Sequence, residues 1–256
     1  MKNGLIPLIC LAAVVFSASC QNDSVAEKKV SLAVASNFME TAKELAATYT
    51  NETGVEVILV SGSTGKLSAQ IQQGAPFDVF LSADSAAPRH LAEKGFAMEE
   101  TRFTYALGRL VLYSPSPELV SPGDGFPALA RFRHLAIANP ELAPYGRAAR
   151  ETLIALGHWE ALQGKIVRGE NIAQTWHFVS SGNAELGLVA ASQVKDSHRG
   201  ATWLIPAELH TPIEQDAILI HDTPQARLFL EHLSASDSRE LIESHRYALP
   251  PLSHAE

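Results

Sequence analysis

Short apolar runs alternate along the chain with longer segments whose apolar residues recur at helical spacing. The run at 30–36, "VSLAVAS", consists mostly of small and β-branched residues, as is typical of a buried strand. The segment 37–54 repeats apolar residues every three or four positions and ends at Gly54, which predicts a helix. Applied to the whole chain, the same criteria predict strands at 30–36, 55–60, 77–83, 108–114, 186–194 and 216–222, and a strand followed by a turn at 134–140 and at 164–172.

The order of the elements predicts the fold class. Helices are predicted at 37–54, 65–76, 87–95, 145–159 and 173–184, with two more within 223–245. Strand, helix, strand, helix in this order predicts an α/β fold with a parallel, doubly wound sheet and right-handed crossovers. The alternation of strands and helices begins again at residue 108, so we expect a second domain.

The N-terminal segment predicts export. Lys2 precedes an apolar run at 5–16 that is too short to span a bilayer comfortably, and small residues follow it. We therefore predict a secretory signal peptide over residues 1–19. Cys20 follows directly and resembles the cysteine of a bacterial lipobox, although Ser17 stands where leucine is usual. We expect a lipid on Cys20, with cleavage without lipidation as the alternative.

Composition and charge narrow the classes of function. With 46% hydrophobic and 19% charged residues, the 256-residue chain is of ordinary globular type, long enough for one large or two small domains. The net charge of -8 disfavours nucleic acid as a partner, because that affinity comes mostly from Lys and Arg on phosphates. Cys10 leaves with the signal peptide, so the exported chain cannot form an internal disulfide.

The segment 61–67, "SGSTGKL", lies between a predicted strand and a predicted helix, where chains often build anion sites. It is not a nucleotide phosphate loop. That motif needs a glycine where Val60 stands and Ser or Thr where Leu67 stands. An anion site of another kind and a flexible turn without a ligand both remain open.

The sequence supports a catalytic function less well than an anion-binding one. Around Ser63 the glycine spacing is one residue short of the Gly-x-Ser-x-Gly motif, and no base lies in the nearby turns. Asp78 and Asp84 could form an acid–base pair, but we expect Asp78 to pack at a strand start and Asp84 to cap the next helix. The 10 histidines show no metal-ligand spacing, and we expect Lys66 to be a solvated charge. An exported hydrolase using Ser63 or Thr64 stays as an alternative.

Two of the predicted strand-to-helix turns, at 35–37 and 61–65, should lie side by side, because the carboxyl ends of parallel strands share one edge of the sheet. The first N–H groups of a helix lack partners within the helix, and the helix dipole favours negative charge there. Converging turns of this kind predict an anion cage built from neutral donors.

Several segments occur in the order found in one family. They are "VASNF", "SGSTGKLSAQI", "GAPFDVFLSAD", "NPELAPYGRAARETL", "GENIAQTWHFVSSGNAELGLV" and "RYAL". From about residue 30 to 250 the chain resembles the periplasmic molybdate-binding proteins of ABC transporters. The resemblance implies a two-lobed periplasmic-binding-protein fold, two doubly wound sheets joined by a two-segment hinge, with one oxyanion between the lobes. Lobe I would comprise 30–107 and 216–256, and lobe II 108–215.

The resemblance also implies a set of ligand residues: Ser36, Asn37, Ser63, Thr64, Tyr145 and Ile172. The first serine and the threonine would give hydroxyl and backbone groups, and Tyr145 and Ile172 would each give a backbone N–H. One branch of the family adds a tyrosine hydroxyl where Ala190 stands here. Another branch uses an asparagine side chain, and Asn37 places the chain in that branch. A helix N-cap is the alternative for Asn37.

The function implied by the resemblance is capture of molybdate in the periplasm, with tungstate as a near-isostere, for delivery to an ABC permease in the inner membrane. We expect a monomer that needs no cofactor, catalyses no reaction and meets molybdenum only as the oxyanion. Sulfate or phosphate remains the alternative ligand.

Overall fold

The computed structural model describes residues 29–120, 125–195 and 200–251. The expected signal peptide at 1–19 and the expected lipid site at Cys20 lie outside the described residues. The strands are β1 (Lys29–Ala35), β2 (Glu56–Gly62), β3 (Val79–Leu81), β4 (Met98–Gly108), β5 (Leu110–Ser114), β6 (Leu135–Ala138), β7 (Ile166–Gly169), β8 (Leu186–Ala190), β9 (Ala201–Leu204) and β10 (Ile213–Leu219). The helices are α1 (Met39–Thr53), α2 (Thr64–Gln72), α3 (Ala86–Glu93), α4 (Pro144–Ala155), α5 (Trp159–Leu162), α6 (Ile172–Ser180), α7 (Pro224–Ser234) and α8 (Ser236–Ser244).

The strands form two sheets, with the orders β2-β1-β3-β10-β4 and β7-β6-β8-β5-β9. We use lobe I for the part of the chain built on the first sheet and lobe II for the part built on the second. The two-lobed α/β architecture is therefore the one predicted.

Each sheet is mixed, whereas the sequence pattern predicted parallel strands. β1, β2 and β3 are parallel in lobe I, and β6, β7 and β8 are parallel in lobe II. β10 and β5 run antiparallel to both of their neighbours. The reason is the connectivity, because these two strands enter their sheets from the other lobe. Right-handed crossovers through a helix are needed only between parallel neighbours.

Within the described residues, the chain passes between the lobes twice. The first passage lies between β4 and β5, at Gly108 to Leu110, and the second lies between β9 and β10. Residues 213–215, placed in lobe II from the sequence, already pair with β4 in lobe I. This early pairing puts Gln215 beside the passage, where it is fully buried.

Each lobe has its own apolar core, which fixes the strand ends that carry the site. In lobe I, α1 buries Leu45 and Tyr49 on one face, as helical spacing requires, and ends at Gly54 with a positive φ of 69°. In lobe II, the apolar side chains of α4 and β6 share one cluster. Burying one large aliphatic side chain contributes about 1.5–3 kcal/mol, so this packing stabilises the elements whose ends carry the site. Within the described part of the chain, no helix is both long and apolar enough to cross a membrane.

Candidate functional site

All of the ligand residues predicted from the sequence line one small cavity between the lobes. Ser36 and Asn37 follow β1, Ser63 and Thr64 follow β2, and Tyr145 and Ile172 begin helices of lobe II. Small residues complete the wall: Ala35, Gly62, Ala83, Ala143 and Pro144. The cavity volume is ≈ 10 Å³, about the room that one water molecule needs, so a larger ligand requires the walls of the cavity to move apart. The described residues that line it include no Lys, Arg, His, Asp or Glu.

The turn between β1 and α1 contributes one hydroxyl and one backbone N–H. The Ser36 N–H donates to the Gly62 carbonyl oxygen at 3.0 Å, so the expected backbone contribution of Ser36 is already used within lobe I. Its hydroxyl and the Asn37 N–H have no partner among the described residues. Phe38, rather than Asn37, occupies the N-cap position of α1, and no side chain caps that end. The N-cap alternative for Asn37 is therefore wrong.

The Asn37 side chain is engaged inside the protein. Its Nδ2 donates to Gln215 Oε1 at 2.8 Å and to Tyr247 Oη at 3.2 Å. A primary amide has only two N–H groups, and these two bonds use both of them. The arrangement gives the Asn37 side chain a supporting position and leaves its backbone N–H for a ligand, whereas the resemblance had implied donation by the side chain.

The turn between β2 and α2 adds two hydroxyls and two N–H groups. Ser63 is the N-cap, with an extended backbone (φ -73°, ψ 146°), and its Oγ accepts from the Lys66 N–H at 3.4 Å. Thr64 Oγ1 accepts from the Ala83 N–H at 3.1 Å. Both hydroxyls keep a hydrogen to donate, and the N–H groups of Ser63 and Thr64 have no partner among the described residues.

Lobe II supplies two helix N-termini. In α4, Pro144 takes the first position, where a missing N–H costs nothing, and the Tyr145 N–H has no partner among the described residues. In α6, the Asn171 side chain caps the helix by accepting from the Gln174 N–H at 3.0 Å. The Ile172 N–H is likewise without a described partner.

The hydroxyl of Tyr145 is held by a buried side chain of the protein. It accepts a hydrogen bond from Gln215 Nε2 at 3.3 Å. Burial raises the pKa of Tyr145 well above its ordinary value, and burial raises the pKa of Tyr247 to about 12. Both phenols are therefore protonated at neutral pH, and neither adds charge to the site.

The residues that line the cavity therefore carry several neutral donors without partners among the described residues. Unpartnered N–H groups come from Asn37, Ser63, Thr64, Tyr145 and Ile172, and hydroxyls from Ser36, Ser63 and Thr64. Four helices begin at or just after these residues, and their dipoles favour negative charge at that end. Buried donors without acceptors are costly unless a ligand supplies the acceptors. The arrangement suits a small oxyanion.

Charged groups stand at the rim and join the lobes. Lys66 of lobe I pairs with Glu170 of lobe II, and Arg147 of lobe II pairs with Asp84 of lobe I. Asp84 lies one residue before Ser85, the N-cap of α3, and its Oδ1 accepts from the Ala87 N–H in the first turn at 2.9 Å, so its side chain binds this helix end although it is not the N-cap residue. Lys66 is about half exposed, as expected for a solvated charge, and it pairs with Glu170 without lining the cavity.

Sequence comparison places this geometry in a family. A family model described as "Bacterial extracellular solute-binding protein" matches residues 30–247. The chain belongs to the bacterial extracellular solute-binding protein family.

Individual members of the solute-binding family are also closely similar. The chain is 43% identical over 227 residues to the molybdate-binding protein ModA of Azotobacter vinelandii, covering 86% of this chain and 90% of that protein. It is 42% identical over 222 residues to ModA of Rhodobacter capsulatus, covering 86% of this chain and 88% of that protein. The solved structure of the Azotobacter vinelandii periplasmic molybdate-binding protein matches with a TM-score of 0.82 at 37% identity, covering 86% of this chain and 99% of that one.

These findings confirm the resemblance to the periplasmic molybdate-binding proteins and the two-lobed fold. The chain is a solute-binding protein, not an enzyme, so the alternative of an exported hydrolase using Ser63 or Thr64 is wrong. Sequence reasoning missed the residues behind the cavity. Tyr247 lies in the quoted "RYAL" segment and could have been found there, but nothing near Gln215 in the sequence signals its position.

Proposed function

We propose that the protein captures molybdate in the cavity between its lobes, accepts tungstate as a near-isostere, and delivers the anion from the periplasm to an ABC permease. The observation that carries the proposal is the convergence of unpartnered backbone N–H groups from both lobes on one uncharged cavity. The similarity to ModA proteins supports molybdate as the ligand. We also propose that the protein is a monomer and needs no cofactor.

The donor chemistry supports selection of a fully deprotonated oxyanion. Phosphate at neutral pH carries a hydrogen that needs an acceptor in the site. The oxygen atoms of the Ser63 and Thr64 hydroxyls each already accept one bond from the backbone, so the Ser36 hydroxyl is the side-chain acceptor without a described partner that phosphate could use. Sulfate and molybdate are both tetrahedral dianions, and discrimination between them rests on the size of the cage.

A calorimetric titration of the exported chain with molybdate, tungstate, sulfate and phosphate tests the proposal. We expect one site per chain, tight binding of molybdate and tungstate, and weaker binding of sulfate and of phosphate. Tighter binding of sulfate or phosphate than of molybdate would overturn the assignment of the ligand.

The rim ion pairs should contribute little to affinity. Lys66 and Glu170 are each about half exposed, with 48% and 49% of their side chains accessible. Exposed ion pairs contribute about 0.2–1 kcal/mol, so Lys66→Gln should lower molybdate affinity by less than about fivefold. Wild-type affinity should fall less than about tenfold from low to physiological ionic strength, because buried contacts are screened weakly. A hundredfold loss in a calorimetric titration of Lys66→Gln would instead identify Lys66 as a direct ligand.

We also propose that a lipid on Cys20 anchors the protein at the membrane, on the basis of the small residues before that cysteine. Metabolic labelling of cells with a fatty acid tests this proposal. Label is expected on the wild-type protein and not on Cys20→Ser. Equal labelling of the two would exclude Cys20 as the attachment site.

A further inference from the structure

A fully buried glutamine, Gln215, lies behind the cavity near the start of β10. Its Oε1 accepts hydrogen bonds from Asn37 Nδ2 at 2.8 Å and from Tyr105 Oη at 3.2 Å. Its Nε2 donates to Tyr145 Oη at 3.3 Å. Asn37 belongs to lobe I and Tyr145 to lobe II, and both line the cavity. One side chain therefore joins cavity residues of the two lobes.

This junction lies at the passages between the lobes. β10 is the strand by which the chain returns to lobe I, and Gly108 ends the strand by which it leaves. A Cβ atom at Gly108 would collide with the Tyr145 hydroxyl and come within 2.8 Å of Gln215 Nε2. The phenol of Tyr145 is thus packed against both connecting segments, and only glycine leaves it room.

Burial makes these hydrogen bonds effective constraints. The side chains of Gln215, Asn37 and Tyr145 are 0%, 5% and 1% exposed, so water cannot replace a lost partner there. Leaving a buried donor or acceptor unpaired is unfavourable, which favours the one arrangement of the lobes that satisfies all three groups. A second contact acts in the same direction, since Ser192 Oγ of lobe II donates to the Asn37 carbonyl oxygen at 3.2 Å.

We propose that Gln215 is a positioning residue for anion capture. It holds the Asn37 turn of lobe I and the Tyr145 end of α4 in register, so that the unpartnered N–H groups of both turns converge on one ligand. The proposal rests on the proposed function, because it assigns the supporting role within that same site. A cage positioned in advance binds more tightly, since less ordering remains to be done when the ligand arrives.

The test compares variants that remove one or more of these bonds. Tyr145→Phe deletes only the hydroxyl and should weaken molybdate binding about two- to tenfold. Gln215→Met keeps the length of the side chain without its amide and should weaken binding about ten- to a hundredfold. The loss should appear mainly in the dissociation rate, because differences in affinity among variants of one binding site are mostly differences in that rate. Stopped-flow kinetics and calorimetry measure both quantities.

Tyr49→Phe is the matched control. Tyr49 is as buried as Tyr145, at 1% exposed, and its hydroxyl donates to the Gln225 carbonyl oxygen at 2.9 Å within lobe I. Its removal should leave affinity within about twofold of wild type. The double variant Tyr145→Phe with Gln215→Met should bind within about twofold of Gln215→Met alone, because the two substitutions break one shared bond.

The proposal is overturned if Tyr145→Phe binds molybdate as tightly as Tyr49→Phe does. It is also overturned if the loss of affinity in the double variant equals the product of the losses in the two single variants. Amide hydrogen exchange of the ligand-free protein decides the same question without molybdate. The Gly65 N–H donates across the lobes to the Leu142 carbonyl oxygen at 3.0 Å, and it should exchange faster in Tyr145→Phe than in Tyr49→Phe. Equal exchange rates would reject the proposal. No heat from the wild type with molybdate would reject the proposed function alone.

Discussion

Ile172→Pro is expected to lose at least about a hundredfold in molybdate affinity while remaining folded. Proline removes the backbone N–H that faces the cavity and puts a ring carbon in its place. The position tolerates proline, because Ile172 is the first residue of α6 and the preceding Asn171 is extended (φ -144°, ψ 177°). A hydrogen bond to a charged group contributes about 1.5–3 kcal/mol, and steric exclusion of an anion oxygen adds to the loss. Calorimetric titration measures the affinity, and a melting curve confirms folding.

Two controls separate the N–H from other effects. Ile172→Ala keeps the N–H and loses the side chain, so it should be less stable but bind within about fivefold of wild type. Ser236→Pro places proline at the first position of α8, which is exposed and remote from the cavity, and should bind like wild type. If Ile172→Ala lost affinity as fully as Ile172→Pro, the side chain rather than the backbone would be the ligand group.

Ser36→Asp should abolish molybdate binding without destabilising the fold. The substitution places a carboxylate in a cavity lined by unpartnered N–H groups, including those of Asn37 and Thr64. That carboxylate would accept the hydrogen bonds meant for the ligand and repel a dianion. We therefore expect an affinity loss above about a thousandfold together with an unchanged or higher melting temperature.

Ser36→Ala is the control for the lost hydroxyl, and it should weaken binding only about ten- to a hundredfold. Calorimetry and thermal melting of both variants give the comparison. Retained molybdate binding by Ser36→Asp would show that Ser36 does not face the ligand. A sharp fall in its melting temperature would show that the unpartnered N–H groups do not converge on this position.

The sequence predicted best what depends on local pattern. β1, α1, β2 and α2 follow from apolar periodicity and the stop at Gly54, and the cavity turns follow because the carboxyl ends of neighbouring parallel strands meet at one edge. β4 was missed, although Phe103, Tyr105 and Leu107 alternate with polar or small residues, because its charged beginning obscures the pattern. β9 was missed because it is short and largely half-buried.

The role of the Asn37 side chain could not be predicted from the sequence. This side chain donates hydrogen bonds to Gln215 and Tyr247, which are 178 and 210 positions away along the chain. A polar residue just before an apolar run is usually predicted to lie in an exposed loop. The sequence around Gln215 therefore does not indicate that this residue is buried. Contacts of this range depend on how β10 enters lobe I from lobe II, and local patterns carry no information about that passage.

Neutral backbone donors from both lobes should hold the anion. A crystal structure of the protein with molybdate, using the anomalous scattering of molybdenum, locates the anion and its donors. We expect one molybdenum peak between the lobes, with anion oxygens about 2.7–3.2 Å from the backbone nitrogens of Tyr145 and Ile172. A peak outside this cavity, or anion oxygens bound by the side chains of Lys66 or Arg147 instead, would contradict this expectation.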